Sequence, residues 1–480
     1  MRGTRFTPKQ RRVLILLGVA VVVVFSLLSY SVLTTWPRLQ QGTPSGYTPP
    51  TLSALTTPTA RSPLATPTSP ITATEPPAAS PTPTPTPMPL SQIDSARVVN
   101  ELSRIVAGVR RLPAVEQVPV SFPTPLEVTI GLLQRYEEEQ PWQHLSLYTT
   151  LGLIPSMNPP PQPDVVAQTA HISSLYLPEE REILLVTGRS ATTSEEELAV
   201  VHALARATQD QQFDLGTLAP CQSTTDAEMA LRALVEGDPI LVTALYADAD
   251  VEDGTLNRFA DLAADVEEPT YAQLADNPAF RRIRHFPYRE GARFVATLYS
   301  EREWRAVDRA YARPPCSAEH ILHPDRYLAD EPVQEVALSD LGSTLGEDWE
   351  LIQRDTLGEL LIGLHLTTYV SNAAADWTAA DGWAGDTFVR WQSEAGQEVI
   401  AWRIAWDHRD DAEEFEQAYT LLIPRFRIPA LVTADTPFDL PGELWAGPAG
   451  AAYLGRVGRV VTIIWGPDAE TVTSVAEVLP

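Results

Sequence analysis

The sequence predicts a mixed α+β protein. A helix-rich segment over residues 93–335 is followed by a small α+β segment over 336–480, both behind one transmembrane helix and a proline-rich linker. Three observations lead there. Apolar residues recur at helical spacing over several stretches of 93–335. Beyond about residue 336 short apolar runs flanked by glycine and turn residues read as strands between helices. Ahead of residue 93 stand an uncharged run and then a tract with no apolar period.

Residues 1–12 are a basic tail carrying Arg2, Arg5, Lys9, Arg11 and Arg12. Residues 13–36, VLILLGVAVVVVFSLLSYSVLTTW, contain no charge. About 20 apolar residues rising 1.5 Å each cross a bilayer core of roughly 30 Å. Basic residues crowd the N-terminal side, with only Arg38 just after the run, which argues for a cytoplasmic N-terminus. A cleaved signal peptide is the alternative, but its apolar region is usually shorter and ends at a small-residue site. The expectation is an uncleaved, single-pass anchor in the cell membrane with the rest of the chain extracytoplasmic. Residues 37–92 are rich in Pro, Thr, Ser and Ala and end in PTPTPTPMP. Such a tract favours polyproline II and acts as a semi-rigid spacer of about 3.1 Å per residue.

Residues 94–111 predict an opening helix, with Val98, Val99, Leu102, Ile105, Val106 and Val109 on one side. The run EILLVT at 182–187 reads as a buried strand. Ser194 and Glu197 form an S-x-x-E capping box, and Glu195–Glu197 supply an acidic first turn that suits the helix dipole. The helix runs to about Gln212, with Leu198, Val201, His202, Ala205 and Thr208 on one face. A second helix is expected over 225–245, and others near 270–277, 291–299 and 301–312. In the last segment, 355–372, 410–422 and 468–479 read as helices. Residues 388–391, 398–406, 444–454 and 459–465 read as strands, which together suggest a small α+β sandwich. Eight of the 11 tryptophans fall in 349–465. A stacking face for sugar or peptide and an ordinary aromatic core both fit that enrichment, and the core is the commoner cause.

Composition excludes several chemistries. Of the 35 basic residues seven lie in 1–90, against one of the 62 acids, so the remainder is more acidic than the chain's formal −27. Such a body repels phosphate backbones and excludes nucleic acid as a partner. Lys9 is the one lysine, so a P-loop, a kinase strand lysine and a Schiff base are absent. There is no G-x-S-x-G elbow, no G-x-G-x-x-G loop and no C-x-x-C pair. Cys221 and Cys316 either form a disulfide, which an extracytoplasmic location permits, or remain two buried thiols.

The stretch HALARATQDQQFDL, from His202 to Leu215, resembles the active-site helix of a family of bacterial membrane-anchored, zincin-type metallopeptidases, which reads H-E-x-x-H followed by A-L-Q-D-Q-x-F-D-L. DAEMALRALVEGD, from Asp226 to Asp238, is similar to the family's second helix. FPYREG (286–291), PPCSAEHILHP (314–324) and GWAGD (382–386) are further similar blocks in the same order. The resemblance covers roughly 95–425 and implies a zincin-like domain over 93–335. In the H-E-x-x-H arrangement two histidines one turn apart hold zinc, the glutamate is the general base, and a carboxylate from the next helix completes the site. By the resemblance, His202 matches the first histidine and Glu236 the third ligand. Ala203 stands at the general-base position and Arg206 at the second-histidine position. Alanine cannot take a proton, and arginine is cationic and repels a divalent ion. The implied state is a vestigial cleft of His202, Arg206 and Glu236, without catalytic residues and with zinc lost. Arg206 is expected to pair with Glu236 in the metal's stead.

Other residues carry weaker signals. His320 and His323 are spaced to face one metal, or to cap a loop through backbone bonds. His285 and His365 read as core histidines. The run DHRDD at 407–411 reads as a strand-end turn capping the next helix. The resulting functional expectation is a membrane-anchored pseudo-metallopeptidase, tethered by residues 13–36, that binds a peptide or protein segment. An active hydrolase with a non-standard metal site, and an envelope polysaccharide-binding protein, are the alternatives.

Overall fold

The N-terminal half is mainly helical and contains one tight helix crossing. In the computed structural model the described residues are 92–479, apart from 116–117, 141–144, 188–193, 249–250, 371–376, 429 and 438–439. The expected span 13–36 and the linker to residue 91 lie outside them. Among the described residues no helix is long and apolar enough to cross a membrane. The protein is α+β.

Helix α1 (Gln92–Arg110) packs on α5 (Ser194–Phe213), which packs on α6 (Thr225–Ala247). Before α5 come β1 (Val120–Ser121), α2 (Pro125–Glu139), the short helices α3 (Leu145–Thr150) and α4 (Val165–Thr169), and the hairpin β2 (Ser174–Leu177) and β3 (Glu182–Leu185). β3 is central in this three-stranded sheet, parallel to β1 and antiparallel to β2. After α6 come α7 (Asp253–Glu267), α8 (Pro278–Arg302), α9 (Trp304–Ala312), and the one-turn helices α10 (Ala318–Leu322) and α11 (Pro324–Leu328).

The crossing is that of α6 and α8. A Cβ on Gly237 would sit 2.2 Å from Gly291 O, and one on Gly291 would sit 2.1 Å from Ala233 O. Only glycine allows the two backbones this close. Both helices continue through an internal proline, Pro239 and Pro287. The expected helix at 291–299 therefore starts much earlier, at Pro278, with Asn277 Oδ1 accepting from Phe280 N at 2.7 Å. The expected helix near 270–277 is only a single 3₁₀ turn, Ala272–Leu274.

The C-terminal half is built on a seven-stranded antiparallel sheet in the order β4-β5-β6-β10-β9-β8-β7. Its strands are β4 (Trp349–Asp355), β5 (Trp383–Ser393), β6 (Glu398–Trp406), β7 (Val432–Ala434), β8 (Gly442–Gly447), β9 (Gly450–Val457) and β10 (Val460–Gly466). Helices α12 (Gly358–Tyr369), α13 (Arg409–Leu422) and α14 (Ala469–Val478) pack against it. Side chains alternate between the two faces of a strand. Ile400, Trp402, Ile404 and Trp406 join the core of α12 and α13. Val399 and Ala401 join that of α14. Both faces are covered, so the strands read as continuous apolar runs and not as alternation.

Two expectations for this half are corrected. Residue 355 closes β4 and does not open a helix; α12 begins at Gly358, whose φ of +74° turns the chain. The expected strand 444–454 is the hairpin β8–β9. The largest apolar cluster is shared across the two halves, running from Val201 and Leu204 through Phe294 to Leu360, Trp402 and Phe415. Trp383, Trp391, Trp402, Trp406, Trp445 and Trp465 are buried, so the tryptophan enrichment is core.

Candidate functional site

One turn of α5 sets the geometry. His202 and Arg206 are four residues apart and so share a helical face. Ala203, next along, turns into the core at 2% exposure. Glu236 comes from the middle of α6. The fourth member is Glu267, the last residue of α7.

Arg206 Nη1 donates to Glu236 Oε2 in a short, buried ion pair. The same nitrogen lies 3.2 Å from Glu267 Oε2. His202 Nε2 donates to Glu267 Oε1 at 3.1 Å. Glu267 thus takes both members of the i, i+4 pair, one on each oxygen, and Arg206 stands between two carboxylates. Burial pushes Glu236 above the usual carboxylate range, and the charge of Glu267 adds to that, against the pull of Arg206. Burial also works to raise Glu267, but Arg206 and His202 outweigh it and hold this carboxyl low. Two neighbouring carboxyls are driven apart, one toward the protonated and one toward the ionised form.

These groups open onto a cleft of about 840 Å³ lined by Arg206, Glu236 and Glu267. Tyr136, Tyr176, Tyr271, Tyr288, Phe280 and Ile283 contribute its rings and apolar surface, and Arg232, Arg284 and Glu228 its rim of charge. Much of that charge is paired internally. Arg232 bonds Glu268, and Tyr288 Oη donates to the same carboxylate at 3.0 Å. Arg284 Nη1 donates to Asp265 at 3.1 Å. His202 is not on the cleft wall and acts on it through Glu267.

The residues that follow in the same α5 stretch hold the scaffold. Gln209 Nε2 donates to Val235 O at 2.8 Å and to Tyr311 Oη at 2.6 Å. Tyr176 Oη donates to Asp210 Oδ2 at 2.7 Å, and Leu215 N to Asp210 Oδ1 at 2.9 Å. Asp238, two residues past Glu236, is gripped by Arg110, with Nε at 2.8 Å from Oδ1 and Nη2 at 2.9 Å from Oδ2. In GWAGD, Asp386 accepts from Leu357 N, Gly358 N and the indoles of Trp383 and Trp402.

The structure joins Cys221 to Cys316 in a disulfide, with Cα atoms 5.3 Å apart. His320 and His323 do not face one point. His320 accepts from Cys316 N at 3.2 Å and donates to Glu331 O at 3.0 Å. His323 donates to Glu359 Oε1 at 3.0 Å. His365 is fully buried between Leu151 O and Tyr419 Oη, whereas His285 is half-buried and bonds Asp261 at 3.1 Å. His408 caps α13 in a capping box with Asp411. Helix α5 begins at Ser194 with Glu195, Glu196 and Glu197 in its first turn. The Ser194 side chain, and so that capping box, lies outside the described residues.

Sequence reasoning missed Glu267 because it missed α7. The signal was present in Leu256, Phe259, Ala260, Ala263 and Ala264, which are the buried face of that helix.

Residues 349–476 match a family described as a domain of unknown function (DUF8575). The match starts on the first residue of β4 and ends inside α14, taking in the whole seven-stranded sheet. No curated protein and no solved structure matches the chain.

Proposed function

We propose that the protein is a pseudo-metallopeptidase, anchored in the membrane by residues 13–36, whose cleft holds no metal and binds a peptide or an unfolded protein segment. One observation carries this reading: the Arg206 guanidinium sits between Glu236 and Glu267 at the wall of the 840 Å³ cleft. A divalent cation at that point would have to displace a fixed positive charge. The donor set does not fit zinc. The lining supports the choice of ligand. Tyrosines over an apolar floor, with both signs of charge at the rim, suit an extended polypeptide, which presents mixed side chains and a polar backbone.

The test uses the full chain in detergent and a reduced, carboxymethylated protein as an unfolded-polypeptide probe. Ser146 lines the cleft and is exposed, so Ser146→Trp fills the space without touching the core. Binding that falls at least tenfold in Ser146→Trp and is indifferent to a chelator supports the proposal. Cleavage of the probe that a chelator stops would replace it with the active-hydrolase alternative. Equal binding by both chains would remove the cleft from consideration.

A further inference from the structure

A second cluster lies where the α10–α11 junction meets the first turn of α12. None of its members lines the cleft. His323 Nε2 is 3.0 Å from Glu359 Oε1 and 3.9 Å from Asp381 Oδ1. One donor atom from each of the three lies within 4.8 Å of the others. Glu359 is 1% exposed, yet its second oxygen, Oε2, is buried with no hydrogen-bond partner. Such an oxygen is costly unless something positive meets it.

The surrounding charge does not supply that cation. Arg326 reaches Asp407 at 2.6 Å, Glu319 at 3.0 Å and Glu331 at 3.1 Å, and Asp381 only at 4.0 Å. One guanidinium is thereby spread over four acids and reaches Glu359 only through its field, which leaves the imidazole as that carboxylate's hydrogen-bond partner. A simple histidine–carboxylate ion pair explains the 3.0 Å contact. It explains neither the bare Oε2 nor the second carboxylate, Asp381, drawn to the same imidazole nitrogen.

We propose that His323, Glu359 and Asp381 form a divalent metal site for zinc. One imidazole and two carboxylates make a three-ligand N/O set that leaves a position for water. Calcium needs six to eight oxygens and gains nothing from an imidazole. Asp381 is half exposed and provides the way in. The site pins the α10–α11 turn to α12, so the bound ion would tie the two halves of the protein together.

The test takes the untagged full chain, strips it with a chelator, dialyses it against zinc and measures metal per chain and affinity by calorimetry. The expected result is one zinc per chain, lost in His323→Ala, weakened at least tenfold in Asp381→Asn and kept in His202→Ala. Cobalt in the same position should give visible absorption that His323→Ala removes. Asp381 is exposed enough that Asp381→Asn decides the matter even if His323→Ala does not fold. No zinc on the unsubstituted chain, or zinc held equally by Asp381→Asn and His323→Ala, overturns the site. Zinc lost in His202→Ala and kept in His323→Ala overturns it too, and in addition overturns the metal-free reading of the cleft.

Discussion

Glu236 and Asp238 are two residues apart on one helix, and each is met by an arginine, yet the two ion pairs are built differently. Asp238 is enclosed. Arg110 grips it with two nitrogens, Tyr311 Oη donates to it at 2.9 Å, and the guanidinium lies 4.3 Å from the ring of Trp304. Arg110 and Asp238 are each 1% exposed. Glu236 is at the cleft wall, and its arginine is shared with Glu267. Arg110 is shared as well, with the half-exposed Asp308 at 2.8 Å, so each guanidinium faces two carboxylates. What differs is the setting: Asp238 is packed beneath Tyr311 and Trp304, whereas Glu236 and Glu267 line the cleft. The same chemistry serves packing in one place and lines a cleft in the other.

Breaking the enclosed pair should have the largest effect. Arg110→Ala leaves Asp238 ionised and buried, and removal of one partner of a buried pair costs about 3–5 kcal/mol. Chemical denaturation of the full chain should show that loss. A loss under about 1 kcal/mol would mean that Asp238 is rescued by Tyr311 and water. Arg206→Ala should cost less, about 1–3 kcal/mol, because the cleft lets water reach the two carboxylates. It should also raise the pKa of Glu236 further, since the stronger of the two arginines pulling it down, Arg206 ahead of Arg232, is removed. An Arg206→Ala chain as unstable as Arg110→Ala would erase the distinction between the two regions.

A sharper version restores the resemblance. Ala203→Glu with Arg206→His places H-E-x-x-H on α5 opposite Glu236. The double variant should bind zinc that depends on His202, read by metal analysis against the His323→Ala background. Failure to bind would mean that Glu267, bonded to His202 at 3.1 Å, holds the imidazole away from the metal position.

Much of this arrangement was legible in the sequence. The α5 and α6 stretches and their i, i+4 face follow from spacing, whereas the Arg206–Glu236 pairing was implied by the resemblance, which put the two residues at neighbouring ligand positions, and by the charge of arginine. What was not legible depended on contacts distant in sequence. Glu267 is 61 positions beyond Arg206 and closes a helix that opens on DGTLNR, a run that looks like a loop by composition. The expected helix at 291–299 left out the first half of α8, which runs on through Pro287 into the close crossing at Gly237 and Gly291. The capping box of α2, Thr124 with Glu127, was written in the sequence as TPLE and went unread. The edge strands β4 and β7 were missed because edges carry little apolar patterning of their own. In the sheet, burial on both faces removed the alternation that would have marked each strand.

The smallest effect concerns a carboxylate with no arginine at all. Asp226 opens the same helix as Glu236 and Asp238 and is 1% exposed. Its Oδ1 accepts from Ala318 N at 2.9 Å, while its Oδ2 has no partner. Burial pushes its pKa up to about 7, and nearby Asp386 and Glu359 add to the rise against the hydrogen bonds from Ala318 and Ser317. A carboxyl raised in the folded state contributes stability below its unfolded pKa, and that contribution is lost as pH rises through the folded value. Asp386, raised to about 6 by burial, acts in the same sense. Glu267, held low, acts oppositely, and its contribution is lost only as pH falls below the ordinary carboxylate range. The stability contributed by Asp226 and Asp386 should therefore be larger near pH 5 than near pH 8, with His365, lowered to about 4 by burial, acting against it below the ordinary histidine range. Asp226→Asn keeps the Oδ1 acceptor and puts a neutral amide where the orphan oxygen is. It should raise stability more at pH 8 than at pH 5, since most of the interval up to the folded value near 7 lies above pH 5. Equal effects at both pH values would show that Asp226 stays ionised in the fold, and that an arginine is not what separates a tolerated buried carboxylate on this helix from a costly one.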